Sequence, residues 1–181
     1  MTYSRQIVLK NGNTALLRNA EPSDAGAVLE NFSLTHAETD YLLTYPDEST
    51  FDAEREARFL QRKAESANEI EIIAVADGRV VATAGVDAVG TRDKLRHRAE
   101  FGVSVLRAYW GLGLGRALTE ACIQCAKEAG YEQFELTVVA ENERAIALYR
   151  KAGFVEFGRN PRGFRSRTSG YQGIVHMLLA L

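Results

Sequence analysis

Three glycines alternate in Trp110-Gly111-Leu112-Gly113-Leu114-Gly115, between a β-rich run and a helical pattern. Glycine lets a backbone approach a ligand closely, and the first amide N–H groups of a helix have no intrahelical acceptor. The helix dipole adds roughly half a positive charge at that end, so the turn, with Arg107 and Arg116 beside it, suits a phosphate. Taken alone, the same glycines would also serve a tight structural turn. Spacing excludes two nucleotide motifs. A P-loop needs Lys followed by Ser or Thr after the glycines, and none follows here. A dinucleotide fold needs its third glycine where Arg116 stands, and although Glu141 imitates the ribose-binding acid, the further parallel strands are missing.

Asn142, Ala145 and Tyr149 fall at i, i+3 and i+7 of a downstream helical pattern, which sets two polar groups along one groove. On the strand before the turn, Glu100, Gly102 and Ser104 point to one side, and Phe101 and Val103 to the other. A phenol with a pKa of about 10 can donate a proton and a carboxylate can accept one. Equally, Tyr149 can pack its ring on a sheet and Glu100 can be a surface acid beside Arg98. The pair Cys122 and Cys125 gives too few ligands for structural zinc and lies on an apolar stripe, which predicts two packed, reduced thiols. His36, His97 and His176 show no metal-binding spacing, so no metal is expected.

These residues need elements to hold them. The runs 6–10 and 14–18 flank Asn11-Gly12-Asn13 and predict a hairpin. A helical pattern from Pro22 to about Thr35 and a charged one from Asp52 to Ser66 enclose the polar, acidic connection 37–51, long enough for a binding loop or lid. Two β-rich runs between Glu69 and Val86 are joined by Asp77-Gly78, a strong hairpin signal. A strand over about 98–106, the glycine turn, a helix over 113–129, a strand over 135–139 and a helix over 142–152 form a β-α-β-α series. Residues 154–158 and 173–181 predict closing strands around a basic loop, 159–170. Antiparallel hairpins followed by a crossover unit imply one α/β domain over 1–181, a mixed sheet with helices on both faces.

The chain has 181 residues, 46% of them hydrophobic, enough for a substantial core. Its net charge of -2 provides no positive field of the kind that draws proteins to nucleic acid or anionic membranes. The N-terminus lacks the apolar stretch of a secretory signal and no later segment is long enough to span a bilayer, so the expected compartment is the cytoplasm.

With Val103-Ser104-Val105, the turn from Trp110 to Gly115, and Asn142-Glu143-Arg144-Ala145-Ile146-Ala147-Leu148-Tyr149 followed by Gly153-Phe154, the sequence resembles the GNAT superfamily of acetyl-CoA-dependent N-acetyltransferases. The likeness runs from about residue 5 to the end and is most specific over 100–155. One departure is Trp110, where that family usually has Gln or Arg. The resemblance implies a GNAT-like fold with a mixed, mostly antiparallel sheet of about six or seven strands, whose parallel pair splays to admit the cofactor. It implies that Val103 and Val105 offer backbone groups to the pantetheine arm of acetyl-CoA, with Ser104 between them. Backbone amides from Leu112 through Gly113, Leu114 and Gly115 to Arg116 would hold the pyrophosphate. Asn142, on the helix face it shares with Ala145 and Tyr149, would contact the cofactor arm. By the same resemblance Tyr149 is the acid that protonates the departing thiolate, and Glu100, or a water relay, is the base. Family members are often dimers, which makes a homodimer an option.

The resemblance further implies an amine acceptor that enters from the side opposite the cofactor, between the first helices' loop and the last two strands. Glu38, Asp40, Asp47 and Glu48 could attract a cation and Arg159, Arg162, Arg165 and Arg167 could hold a carboxylate or phosphate, or both regions are simply solvated loops; Tyr41 and Tyr45 could line the pocket or equally pack the lid. Three functions stay open: acetylation of a small-molecule amine, which is favoured, acetylation of a protein or peptide, and non-catalytic binding of acyl-CoA.

Overall fold

A computed structural model describes residues 1–181. In chain order the elements are β1 (Ser4–Val8), β2 (Thr14–Asn19), α1 (Ala25–Glu38), α2 (Ala53–Glu65), β3 (Ile70–Ala76), β4 (Arg79–Ala88) and β5 (Arg98–Val105). Then follow α3 (Leu114–Glu128), β6 (Gln133–Val139), α4 (Glu143–Lys151), β7 (Val155–Ser166) and β8 (Gly170–Ala180). One sheet of eight strands, in the order β1-β2-β3-β4-β5-β6-β8-β7, is antiparallel throughout except where β5 lies beside β6. The expected α/β architecture holds, with more strands than the six or seven anticipated.

The largest difference is the basic segment 159–170, expected as a loop. Most of it is strand, because β7 runs to Ser166 and turns directly into β8. Periodicity hides this strand: two register shifts, at Glu156/Gly158 and Asn160/Phe164, break the alternation, and Pro161 sits in the second. A proline is tolerated there because β7 is an edge strand.

Strands β3 and β4 are buried on both faces. Ile70, Ile72, Ala74, Val81, Ala84 and Val86 join the main core beneath α3 and α4, whereas Ile73 and Val80 meet Val28 of α1 and Leu60 of α2. Helices therefore cover both faces. Cys122 and Cys125 are buried, unbridged members of the main core, and burial pushes the Cys125 thiol up to about 11. The reading of two packed, unbridged thiols stands. In the Asp77-Gly78 turn both residues have positive φ, 51° and 76°, the geometry that matches the twist of a two-residue hairpin.

Beneath α2 lies a charged cluster. Lys63, only 1% exposed, donates from Nζ to Val86 O at 3.0 Å and pairs with Asp87. Glu71 shares this space, and a Cβ added to Gly85 would stand 2.8 Å from its Oε2 and 3.2 Å from Asp87 Oδ2. Gly85 thus leaves the room that two carboxylates occupy. Desolvation, opposed by Lys63 and reinforced by Asp87 and Glu56, pushes the Glu71 carboxyl up to about 8. Because its folded pKa lies above the unfolded value, the stability carried by its protonation is full below the usual carboxylate range and is lost as pH rises through about 8. Urea midpoints of the parent chain should therefore fall between pH 5 and pH 9, and Glu71→Gln should flatten that fall. Parallel slopes for the two proteins would refute the assignment.

Candidate active site

Strands β5 and β6 pair only at Arg98↔Gln133, Ala99↔Phe134 and Glu100↔Glu135. Beyond them β6 stays with β8 as far as Val139, while β5 stays with β4 as far as Val105, so the two part. The closed end is braced twice. On one face Arg98 holds Glu135 through two hydrogen bonds, the Nη2 to Oε2 contact at 2.8 Å. On the other, Phe101 meets Phe134 at 5.5 Å between centroids and Tyr149 at 6.0 Å, and Tyr149 meets Phe154 at 5.9 Å.

Along the open end, Leu106 N donates to Val81 O and Arg98 O accepts from Val89 N. Even-numbered residues of β5 therefore bond to β4, and Val103 and Val105 turn their backbone groups toward the gap. Ser104 is turned the other way: its backbone belongs to the β4 ladder and its Oγ lies 3.2 Å from Thr83 Oγ1. One of the expected contact groups is already engaged, because the Trp110 indole N–H donates to Val105 O at 2.7 Å. What remains facing the gap is the Val105 N–H with both backbone groups of Val103.

The glycine turn stands at the mouth of this gap. Gly111 and Gly113 adopt φ of 81° and 95°, a left-handed conformation that other residues adopt only at a cost. No backbone N–H from Gly111 to Arg116 donates to a backbone carbonyl; the first bond of α3 is Ala117 N to Gly113 O at 3.1 Å. The carbonyls, by contrast, are held back. Leu112 O accepts from Lys10 N at 3.0 Å and Gly115 O from Thr119 Oγ1 at 2.8 Å. Tyr109 OH donates to Asp77 Oδ2 at 3.2 Å, so the first two hairpin turns, at Lys10 and Asp77, both brace the segment that carries the amides. Such a row of free donors at a helix start can hold a phosphate anion.

Tyr149 and Glu100 lie on opposite faces of the sheet at the point where the strands part. Tyr149 is 8% exposed, and burial alone pushes its phenol well above the ordinary value, so the hydroxyl stays protonated across neutral pH. That hydroxyl donates to no group of the protein, and it is not sealed in, since Asn31 Oδ1 is the one buried side-chain polar atom without a partner. Glu100 is exposed, between its cross-strand neighbours Asp87 and Glu135. Each neighbour has its own cation, Lys63 and Arg98, and Glu100 makes no salt bridge.

On the face of Glu100, the connection 39–52 and the β7–β8 turn are fastened together. Asp40 accepts from Ser166 Oγ at 2.6 Å and Ser169 Oγ at 2.9 Å, and Tyr45 OH accepts from Arg167 N at 2.8 Å. Arg167 pairs with Asp47 at 2.7 Å and lies over the Tyr45 ring at 4.1 Å. The charges expected to receive the two ends of an acceptor here neutralise each other. Glu38 is also engaged, accepting from Arg107 N at 2.6 Å, and Arg159 is held by Glu156. Arg162 and Arg165 remain, stacked over Tyr171. Behind the connection a cavity of about 330 Å³ is lined by Val28, Phe32, Thr44, Phe51 and Glu56, among others.

Two residues do more than their spacing indicates. Arg144, in the first turn of α4, places its guanidinium over Trp110 and beside Gly111; the legible signal was its position two residues after the helix cap. Asn142 is that cap: its Oδ1 accepts from Ala145 N at 3.2 Å, which leaves the side-chain NH₂ as its free group. Asn142→Ala should lower unfolding stability by about 1 kcal/mol, whereas Asn142→Asp, which preserves the cap, should not. Equal chemical-denaturation midpoints for the two variants would exclude the capping role.

This geometry agrees with what the chain resembles. The model of the acetyltransferase (GNAT) family matches residues 33–154. The L-amino acid N-acetyltransferase AaaT of Escherichia coli is 33% identical over 95 residues, 52% of this chain and 58% of that protein. A mycothiol acetyltransferase of Paenarthrobacter aurescens is 51% identical over 47 residues, which are 26% of this chain and 15% of the relative. The aligned chain thus spans less than two thirds of either curated relative. A solved GNAT-family acetyltransferase from Streptococcus pneumoniae is 29% identical, with a TM-score of 0.88 over 92% of this chain and 99% of its own. With the family model spanning more than half of its residues, and a splayed β5–β6 pair opening onto a glycine turn of free amides, the chain belongs to the GNAT acetyltransferase family.

Proposed function

We propose that the protein is a single-domain cytoplasmic enzyme that transfers the acetyl group of acetyl-CoA to a small-molecule primary amine, by direct attack in a ternary complex. The observation that carries this reading is the parting of β5 from β6, with free backbone groups at Val103 and Val105 along it, free amides at its mouth and Tyr149 and Glu100 on its two sides. The pantetheine arm extends β5 as a short added strand, and the amides of Leu112 to Arg116 hold the pyrophosphate. The free NH₂ of Asn142 faces the arm.

The two sides have different tasks. An alkyl ammonium of pKa about 10 must lose a proton before it can attack, and the exposed carboxylate of Glu100 takes it directly or through water. The neutral amine adds to the thioester carbonyl, the C–S bond breaks, the departing thiolate receives the proton of the Tyr149 hydroxyl, and the second proton of the new amide nitrogen replaces it on the Tyr149 oxygen through water. Burial keeps the phenol protonated and so available as a donor; because a thiolate is a weaker base than this phenolate, the transfer is completed only as the Tyr149 oxygen regains a proton. Placing base and acid on opposite faces lets the amine enter from one side while the thiol stays on the other.

The name of AaaT supports an amine of the L-amino-acid class as the first acceptor to try. Exposed Arg162, which no carboxylate neutralises, suits an acceptor that carries an anionic group. Thiol release from acetyl-CoA should be measured with free amino acids, other small amines and peptides. Turnover on free amines supports the proposal, turnover on peptides alone supports a protein acetyltransferase, and binding of acetyl-CoA without any turnover supports a non-catalytic module. Tyr149→Phe should reduce kcat by roughly a hundredfold or more with little change in acetyl-CoA affinity. Glu100→Gln should lower kcat/KM at neutral pH by roughly a hundredfold or more; an unchanged rate would assign the proton to another acceptor.

A further inference from the structure

Most of the chain's arginines are paired with a carboxylate, and that includes Arg116, held by Glu120 at 2.7 Å. Arg162 and Arg165 over Tyr171 have no such partner, and neither do Arg107 and Arg144 at the glycine turn. The latter two come from separate parts of the chain, make no salt bridge, and stand over one indole ring, that of Trp110, at 5.4 and 5.7 Å from its centroid. The Nη2 of Arg144 lies 3.3 Å from the place a Cβ on Gly111 would occupy, so the guanidinium rests on the glycine turn itself. Two like charges gathered at one aromatic repel each other, and the ring's electron-rich face offsets that repulsion in part. The ring is fixed in turn by its N–H bond to Val105 O.

The free amides of the turn account for one phosphate-bearing group, the pyrophosphate. They leave the two cations at the rim without a counter-charge. The same donor molecule carries a second anion, a dianionic phosphate on the 3′ oxygen of its ribose, one sugar away from the pyrophosphate. Arginine suits such a partner, because a guanidinium can lie on an aromatic ring and still direct a fork of N–H donors at phosphate oxygens. We infer that Arg107 and Arg144, spaced by Trp110, recognise the ribose 3′-phosphate of acetyl-CoA, so that the enzyme discriminates against donors lacking it. The inference rests on the proposed pyrophosphate site, and it gives Trp110 a task that a glutamine or arginine at that position could not perform. The indole spaces the two cations and at the same time secures the end of β5.

The test is calorimetric titration of the full chain with CoA and with 3′-dephospho-CoA. The parent protein should prefer CoA by roughly tenfold or more. Arg107→Gln and Arg144→Gln should each shrink that preference and the double variant should abolish it, while affinity for 3′-dephospho-CoA falls by a clearly smaller factor, because that ligand feels the two cations only through its pyrophosphate. Both side chains are exposed, so the variants keep the fold. Equal affinity of the parent for both ligands, or variants that weaken both ligands alike, overturns the inference and leaves the pyrophosphate site standing. Failure of the parent to bind either ligand overturns both.

Discussion

Everything at this site follows from two parallel strands that pair for three residues and then separate. A buried sheet ordinarily satisfies its backbone groups by continuous pairing, and an interrupted ladder costs free energy unless another partner supplies the hydrogen bonds. Here the interruption is held in place. The Arg98–Glu135 pair and the aromatic cluster of Phe101, Phe134, Tyr149 and Phe154 clamp the closed end, while β4 and β8 each hold one strand on its own course. The gap is therefore a rigid feature of the sheet, and its rigidity keeps Tyr149 and Glu100 at fixed positions on either side.

The turn at the mouth depends on distant parts of the chain. Its amides are free because they open a helix and have no carbonyl one turn back to accept from them. The groups that engage its carbonyls or brace it come from the first hairpin at Lys10, the second at Asp77 and Thr119 of α3. Two antiparallel hairpins that carry no chemistry of their own thus determine which way a backbone segment presents its donors. Asn142 makes a similar compromise at α4, where one side chain both starts the helix and keeps an NH₂ for the groove.

Much of this was legible in the residues. Alternating glycines before a helical pattern announced the turn, Asp77-Gly78 announced its hairpin, and the i, i+3, i+7 spacing set Asn142, Ala145 and Tyr149 on one face. These are local signals, and local geometry enforces them. What stayed hidden was non-local. Nothing near Trp110 shows that its N–H reaches Val105 O, that Arg144 arrives from another helix, or that Asp47 is spent on Arg167. Charge composition located both groups of ionisable residues and left open whether they would meet a ligand or each other. Strand β7 escaped because edge position relaxes alternation, so the pattern that identifies buried strands was absent.

That edge has a consequence for how the molecule behaves in a crowded solution. An open strand end-on to solvent is a template on which another chain can add its own strand and begin an aggregate. On β7 the row of available backbone groups is broken by Pro161 and by two register shifts, and the strand carries Arg159, Arg162 and Arg165. A ninth strand would find neither a continuous ladder nor an uncharged surface. The irregularities that concealed this strand from its own sequence pattern are the same ones that keep it from recruiting a neighbour.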